Sequence, residues 1–319
     1  MAALTLFATK FPDGLRRKLE NYVTLIGPLH GADGDMDANC AMRDVRILIT
    51  MGVLKTDAAV MDALPQLGLI CCYGTGYEGV DLAAAAKRGI LVTHSPGANA
   101  SSVADHAMGL LLAVVRNTRV ADNFVRAGRW RANEAARLPL VRGLTGRRMG
   151  IFGFGEIGRK IAQRATAFDM QVAYHSRAPK DGLPYAFHPT LQSLADWADV
   201  LMVAARADSS NRHAVGEAVL KALGPQGVVV NIARGSLIDE AALIALLTSG
   251  DLGGAGLDVF ENEPAVPEAL RQCPNVVLTP HIAGGTHEAH EMMQEMVAAN
   301  VRAFLAGQPL PTVVPELAR

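Results

Sequence analysis

Short runs of Val, Ile, Leu and Phe alternate along this chain with longer stretches in which apolar residues recur at helical spacing. In the N-terminal part the runs are LTLFAT, VRILIT, LGLICC and ILVTH, and TDAAVMDAL and DLAAAAKRG lie between them. Runs apolar at successive positions suit strands covered on both faces, so the pattern predicts βαβ units and a parallel sheet. From Ser101 a longer helix is predicted, SSVADHAMGLLLAVVRN, opened by hydroxyl residues suited to an N-cap and too apolar to stand in water on every face. It is expected to pack against another domain or subunit. The alternation then restarts with RRMGIF, MQVAYH, DVLMVAA, GVVVNIA, GAGLDVF and NVVLTP, and helical segments such as SLIDEAALIALLTSG separate most of these. Two α/β units in series are implied. A last helix, residues 286–306, should end near Gly307, and the proline-rich QPLPTVVPE after it reads as a closing strap.

A length of 319 residues exceeds the size at which single cores stop growing, which supports two domains. Charged residues make up 19% of the chain and the net charge is −1, so the basic balance of a protein that lives on phosphate backbones is missing. Nucleic acid is not an expected partner. The segment MAALTLFATKFPDGLRRK has no charged region ahead of its apolar stretch, and the longest apolar run, residues 108–115, is too short to span a bilayer. A soluble, cytoplasmic protein with no membrane partner is expected. Cys40, Cys71, Cys72 and Cys273 form no CxxC pair and read as reduced thiols, with Cys71 and Cys72 as small buried apolar residues.

The segment GFGEIG, Gly153 to Gly158, has G-x-G-x-x-G spacing between an apolar strand and a helical stretch. The first glycine permits the tight turn, Gly155 lets backbone approach a pyrophosphate, Gly158 allows close helix-to-strand packing, and the helix N-terminus attracts the anion. A dinucleotide is the expected ligand. A unit that binds NAD usually carries Asp or Glu about 20 residues further on, to accept hydrogen bonds from the ribose. Here the strand runs out at Tyr174 and gives His175, Ser176 and Arg177 instead, with Lys180 a little later. A hydroxyl and two cations suit the extra phosphate of NADP, which a carboxylate would repel, so NADP(H) is expected over NAD(H).

Three later segments each place a polar residue where an apolar run ends: Arg234 in VVVNIARGSLIDE, Asp258 and Glu263 in GAGLDVFENEP, and His281 in NVVLTPHIAGG. In open α/β sheets the carboxyl ends of strands form the ligand crevice, so residues far apart in sequence can meet there. Their chemistry suits carbonyl reduction. An imidazolium can protonate the oxygen on which charge grows, a carboxylate such as Glu263 can favour the charged ring and orient it, and an Arg fork can hold a carboxylate beside the carbonyl.

Together GFGEIG, NIARGSLIDE, LDVFENEP and TPHIAGG resemble the D-isomer-specific 2-hydroxyacid dehydrogenase family over nearly the whole chain. Within it, YHSRAPK and the stretch GRWRANEAARLPLVRGLTGRR before the glycine turn are most similar to the NADPH-dependent glyoxylate and hydroxypyruvate reductases, including the hydroxyphenylpyruvate reductases. The resemblance implies a Rossmann dinucleotide-binding domain, residues 100–286, inserted into a flavodoxin-like α/β substrate domain made of residues 1–99 and 287–319. It implies Arg234, Glu263 and His281 as the catalytic set and Asp258 as a contact to the nicotinamide end. It extends the cofactor surface from the three glycines to Phe154, Glu156, Ile157, Ala205, Ile232, Ala233 and Gly284. For the substrate it implies Met51 and Gly52, and Tyr73 with a turn, Gly74, Thr75 and Gly76, whose backbone N–H groups face a carboxylate; those glycines independently suit an anion nest. Two departures stand out. Asp105 occupies a position where the family more often shows Glu, and Trp130 is a single aromatic where some hydroxypyruvate reductases carry a second Trp nearby.

The other histidines have blander readings. His287 and His290, with Glu288 and Glu291, read as the solvated face of a helix, and hydride transfer to a carbonyl needs no metal, so none is expected. Two rivals share the scaffold: a nucleotide-sensing protein similar to the corepressors that resemble this family, and an NAD-linked dehydrogenase working oxidatively. A homodimer is expected, both from the resemblance and because the apolar helix after Ser101 would otherwise be exposed.

Overall fold

A computed structural model of the chain describes residues 3–28, 42–131 and 138–318. Cys40 lies outside the described residues. The chain divides into two compact units, Met1–Asn99 with Gly285–Arg319, and Ala100–Gly284.

In the first unit five strands form one parallel sheet: β1 (Ala3–Phe7), β2 (Val23–Ile26), β3 (Val45–Met51), β4 (Leu69–Tyr73) and β5 (Leu91–Thr93), in the order β2-β1-β3-β4-β5. This is the flavodoxin-like order. Three of the apolar runs, LTLFAT, VRILIT and LGLICC, supply β1, β3 and β4. β2 is not among those runs because VTLI is short and has one buried residue at its start. Both faces of the sheet are covered. On one, Leu15 and Leu19 of the helix Asp13–Leu19 and Met293, Val297 and Val301 of the helix His287–Leu305 pack over Phe7, Ile47, Ile49 and Leu69. On the other, Met61, Ala84 and Ala85 cover Leu6, Leu48 and Ile70. Cys71 and Cys72 lie in β4 on opposite faces, and burial pushes the Cys71 thiol up to about 12 and that of Cys72 higher still, which makes both inert. The tail after Gly307 pairs with the end of β5, Thr93 bridging Val313 and Val314 N–H donating to the Val92 carbonyl at 3.0 Å.

The second unit holds a seven-stranded parallel sheet: β6 (Arg148–Phe152), β7 (Gln171–His175), β8 (Ala186–Phe187), β9 (Val200–Val203), β10 (Val228–Asn231), β11 (Gly254–Leu257) and β12 (Val276–Leu278). Their order is β12-β11-β10-β9-β6-β7-β8. Counted from β6, this is the Rossmann order 3-2-1-4-5-6 with one strand added, and its direction reverses between β6 and β9. Every residue of β9, β10 and β11 is buried, as continuous apolar runs require of strands with helices on both faces.

One expectation is corrected here. The helix Ala100–Val115 buries Val103, Ala107, Leu110, Leu111 and Val114 within its own unit, beside Met149, Ile151, Ile161 and Val230. Its apolar surface is therefore already covered and gives no reason to expect a second copy. Exposed apolar side chains come later, with Val125 on the helix Thr118–Arg126 and with Trp130 and Leu140 beyond it. Asp105 accepts a 2.7 Å bond from Arg164 Nε, so the shorter acid still pins this helix to the helix Glu156–Ala167. Among the described residues no helix is long and apolar enough to cross a membrane.

Candidate active site

β6 ends at Phe152, and the chain turns at Gly153 with φ +95°, a left-handed value that glycine adopts without strain. A Cβ on Gly153 would collide with the backbone of Ala205, which follows β9, and one on Gly158 would collide with the Gly153 carbonyl. The reversal of strand order thus sits where two glycines allow backbone to touch backbone. Gly155 differs, since a Cβ there would meet nothing within 4 Å. It caps the helix Glu156–Ala167 without a side-chain cap, and the space a Cβ would occupy there is open to a ligand. These observations fit a dinucleotide pyrophosphate on the turn. Glu156 and Ile157 open the helix. The side chain of Phe154 belongs to the core, stacked on Tyr174 at 4.3 Å, which leaves only its backbone for a ligand.

β7 ends at His175, whose Nδ1 donates to the His188 carbonyl at 2.9 Å. Ser176 Oγ donates to the Ala178 carbonyl at 2.7 Å and shapes the next turn, and Lys180 N–H donates to Tyr174 Oη at 2.8 Å. Arg177 is exposed. Asp208, beyond β9, has its carboxyl held below the usual range, chiefly by the Ser210 hydroxyl and amide and then by Arg177 and Arg206. Arginines from two strand ends therefore both act on this one carboxylate. Neither Arg206 nor Asp208 stands out in the sequence, because β9 ends in an unremarkable AARAD.

The catalytic candidates come together at the ends of β10, β11 and β12. Asn231, the last residue of β10, folds back on the loop that carries Arg234: its Oδ1 accepts from Ala233 N–H at 3.0 Å and its Nδ2 donates to the Arg234 carbonyl at 2.9 Å. Arg234 Nη1 donates to the Ala233 carbonyl at 2.7 Å. Ile232 is buried and Ala233 half-buried. Gly235 lies flat against Phe260, where any Cβ would overlap the Phe260 backbone. This contact joins the Arg234 loop to the loop that carries Glu263.

Glu263 is held by one oxygen and holds with the other. Its Oε1 accepts from Phe260 N–H at 3.0 Å, and its Oε2 meets His281 Nδ1 at 2.7 Å. An ionised carboxylate only accepts, so the proton lies on Nδ1 and the Nε2 edge of His281 is left for another partner. His281 has φ +53°, a left-handed conformation costly for a residue with a Cβ.

Asp258 maintains that conformation. It is buried at 0% exposure, and its carbonyl accepts from His281 N–H at 2.8 Å. Its carboxylate accepts from Thr279 Oγ1 at 2.6 Å, from Ile282 N–H at 2.9 Å and from Ala283 N–H at 2.8 Å. His106 Nε2 lies 3.5 Å from the same carboxylate and 2.9 Å from Thr279 Oγ1. Burial pushes the carboxyl up, but the bonds from His106, Thr279, Ile282 and Ala283 outweigh it and keep it below its ordinary value. His106 and Thr279 are not legible as site residues in the sequence, since nothing in a lone histidine on an apolar helix shows that it faces Asp258. Gly284 follows this loop, half-buried.

In the other unit, Met51 is exposed at the end of β3, and Gly52 is buried against the backbone of Gly76. Tyr73 is buried and its hydroxyl shares a 2.8 Å hydrogen bond with His290 Nδ1. Burial, partly offset by a bond with Gln294, raises the phenol. The reading of His290 as solvated surface is thereby corrected: it projects inward from the helix onto Tyr73, whereas His287 and Glu288 stay exposed.

The D-isomer specific 2-hydroxyacid dehydrogenase, NAD binding domain, matches residues 108–283. The chain is 40% identical to a hydroxyphenylpyruvate reductase of Plectranthus scutellarioides, with 85% of each chain covered. It is also 40% identical to a glyoxylate reductase of Thermococcus litoralis, covering 86% of this chain and 84% of that one. Among solved structures, an NADPH-dependent glyoxylate/hydroxypyruvate reductase of Sinorhizobium meliloti, in complex with NADP and malonate, superimposes with a TM-score of 0.89 at 39% identity, covering 99% of this chain and 98% of that one.

Because the folded Asp258 carboxyl lies below its ordinary value of 3.8, its contribution is fully present above that pH and is lost as pH falls through the lower folded value. Asp258→Asn, which sets an NH₂ against the Ile282 or Ala283 amide, is expected to cost about 1–3 kcal/mol at neutral pH. Urea unfolding at neutral pH and near pH 3 should show that cost and a shallower acid decline in the variant.

Proposed function

This chain belongs to the D-isomer-specific 2-hydroxyacid dehydrogenases, and from that premise we propose that it is an NADPH-dependent reductase of small 2-oxo acids such as glyoxylate and hydroxypyruvate, giving the D-2-hydroxy acid. The observation that carries the reading is the 2.7 Å bond between His281 Nδ1 and Glu263 Oε2. It fixes the ring so that a proton on Nε2 can be given to a carbonyl oxygen as negative charge develops there. Glu263, tied to Phe260 N–H, keeps the ring from rotating. Arg234 offers its guanidinium to the substrate carboxylate and the neighbouring carbonyl oxygen, with its loop braced by Asn231. Asp258 serves the nicotinamide end through the loop from His281 to Ala283 that it holds.

NADPH, when bound, supplies the hydride. Gly153, Gly155 and Gly158, with the first amides of the helix Glu156–Ala167, would hold its pyrophosphate. Ser176, Arg177 and Lys180 would hold the 2′-phosphate. The strand end at His175 offers no acid to a ribose 2′-hydroxyl, which favours NADP(H) over NAD(H). The protein is further read as a homodimer, supported by Val125, Trp130 and Leu140, large apolar side chains left exposed close together in sequence.

The test is loss of reduced-nicotinamide absorbance with NADPH or NADH and separate additions of glyoxylate, hydroxypyruvate, pyruvate, 4-hydroxyphenylpyruvate and 2-ketogluconate. Turnover of NADPH with one or two of these is expected; binding of cofactor without turnover would move a sensor role ahead. His281→Ala should lower kcat by about 10²-fold or more with NADPH affinity nearly intact, and an undiminished kcat would remove His281 from the chemistry. Arg177→Ala should weaken NADPH about tenfold and leave NADH unchanged, whereas equal losses for both would exclude the phosphate contact. Sedimentation should report a dimer; a monomer at micromolar concentration would refute it.

A further inference from the structure

The turn after β4 is held by its carbonyls, and that fixes where its amides point. The Gly74 carbonyl accepts from Ser95 N–H at 2.8 Å, and the Thr75 carbonyl meets His94 Nδ1 at 2.9 Å. A carbonyl offers no proton, so His94 carries one on Nδ1 and donates it. Both peptide links following these carbonyls are trans. In a planar trans peptide the C=O and the N–H of the next residue point in opposite directions. With two successive carbonyls drawn toward residues 94 and 95, the N–H groups of Thr75 and Gly76 are aimed together the other way. Gly74 makes the bend possible at φ +121°, and a Cβ on it would meet nothing within 4 Å, so the turn borders open space. Successive amides aimed in one direction form a nest for an anion.

Residues 94 and 95 are in turn braced by the C-terminal strap. Thr312 Oγ1 donates to the His94 carbonyl at 2.6 Å, and His94 N–H donates to the Thr312 carbonyl at 3.1 Å. Asn300 Nδ2 donates to Thr312 Oγ1 at 2.7 Å, which ties the strap to the helix His287–Leu305. The Tyr77 and His94 rings pack in a T-shape at 5.0 Å, and the Tyr77 hydroxyl donates to Glu316 Oε2 at 2.8 Å. A chain of bonds thus runs from the last helix through Thr312 and His94 to the Thr75 peptide.

We propose that His94, braced by the strap, is a positioning residue that turns the Thr75–Gly76 amides toward the carboxylate of the substrate. The identity of the anion rests on the reductase reading; the aim of the amides rests on the first unit alone. His94 touches no reacting atom. Its effect is therefore expected in the affinity for carboxylates and not in the rate of the chemical step.

The experiment measures oxalate binding to the NADPH-loaded protein by calorimetry, together with KM and kcat for glyoxylate and for glycolaldehyde, which lacks the carboxylate. His94→Phe keeps a ring against Tyr77 but removes the donor. Oxalate affinity should fall about tenfold and KM for glyoxylate rise by about the same factor, with kcat, NADPH affinity and the KM for glycolaldehyde little changed. His94→Asn, which restores an N–H near the place of Nδ1, should recover most of the loss. If His94→Phe does not fold, Thr312→Val should still weaken oxalate about threefold by loosening the strap. Unchanged oxalate affinity in the variants, no oxalate binding by the wild type, or equal losses for glyoxylate and glycolaldehyde would each overturn the proposal. If oxalate binds and depends on His94 while no 2-oxo acid is turned over, the reductase reading fails and the nest stands.

Discussion

The second unit depends on one carboxylate taken out of solvent. Asp258 sits at the end of β11 with no exposed surface, a position that costs several kcal/mol unless donors replace the lost water. The donors here are Thr279 and the amides of Ile282 and Ala283, with His106 alongside, and three of the four belong to the segment that carries His281. The same residue's carbonyl accepts from His281 N–H. The electrostatic need of a buried charge and the placing of the proposed acid are therefore met by the same bonds. The left-handed backbone of His281 persists because the residues on either side are tied to Asp258.

Around this centre, backbone touches backbone where glycines permit it. Gly235 lets the Arg234 loop lie on Phe260, and Phe260 N–H in turn holds Glu263. Gly153 and Gly158 do the same at the reversal of strand order between β6 and β9. Each contact removes the tolerance a side chain would introduce, and the proposed chemistry needs groups held to within a fraction of an ångström. In the first unit the corresponding precision comes from carbonyls anchored on His94 and Ser95.

Much of the fold is legible in the amino-acid sequence, for reasons that differ between features. Strands buried on both faces must be apolar at successive positions, so β1, β3, β4, β6, β9, β10 and β11 stand out as runs. β2 and β8 do not, being edge strands of four and two residues. GFGEIG can be read because each of its glycines answers a separate geometric demand. The helix after Ser101 is apolar as its sequence indicates, yet it is not a surface in want of a partner, since hydrophobicity says that a face is covered but not by what. His290 misleads for the opposite reason, a polar residue among polar neighbours whose ring points inward to Tyr73.

The amino-acid sequence alone determined the two α/β units, the dinucleotide turn and the residue types at the strand ends, because these depend on local periodicity and on spacing along the chain. Tertiary structure decided which groups meet: His106 and Thr279 with Asp258, Arg177 with Asp208, and Thr312 with His94. Such pairs join residues far apart in sequence, and their bonds exist only once the sheet has set its order and the tail has returned to it. A residue's chemistry is written in its side chain, whereas its partner is written in the path the chain takes between them.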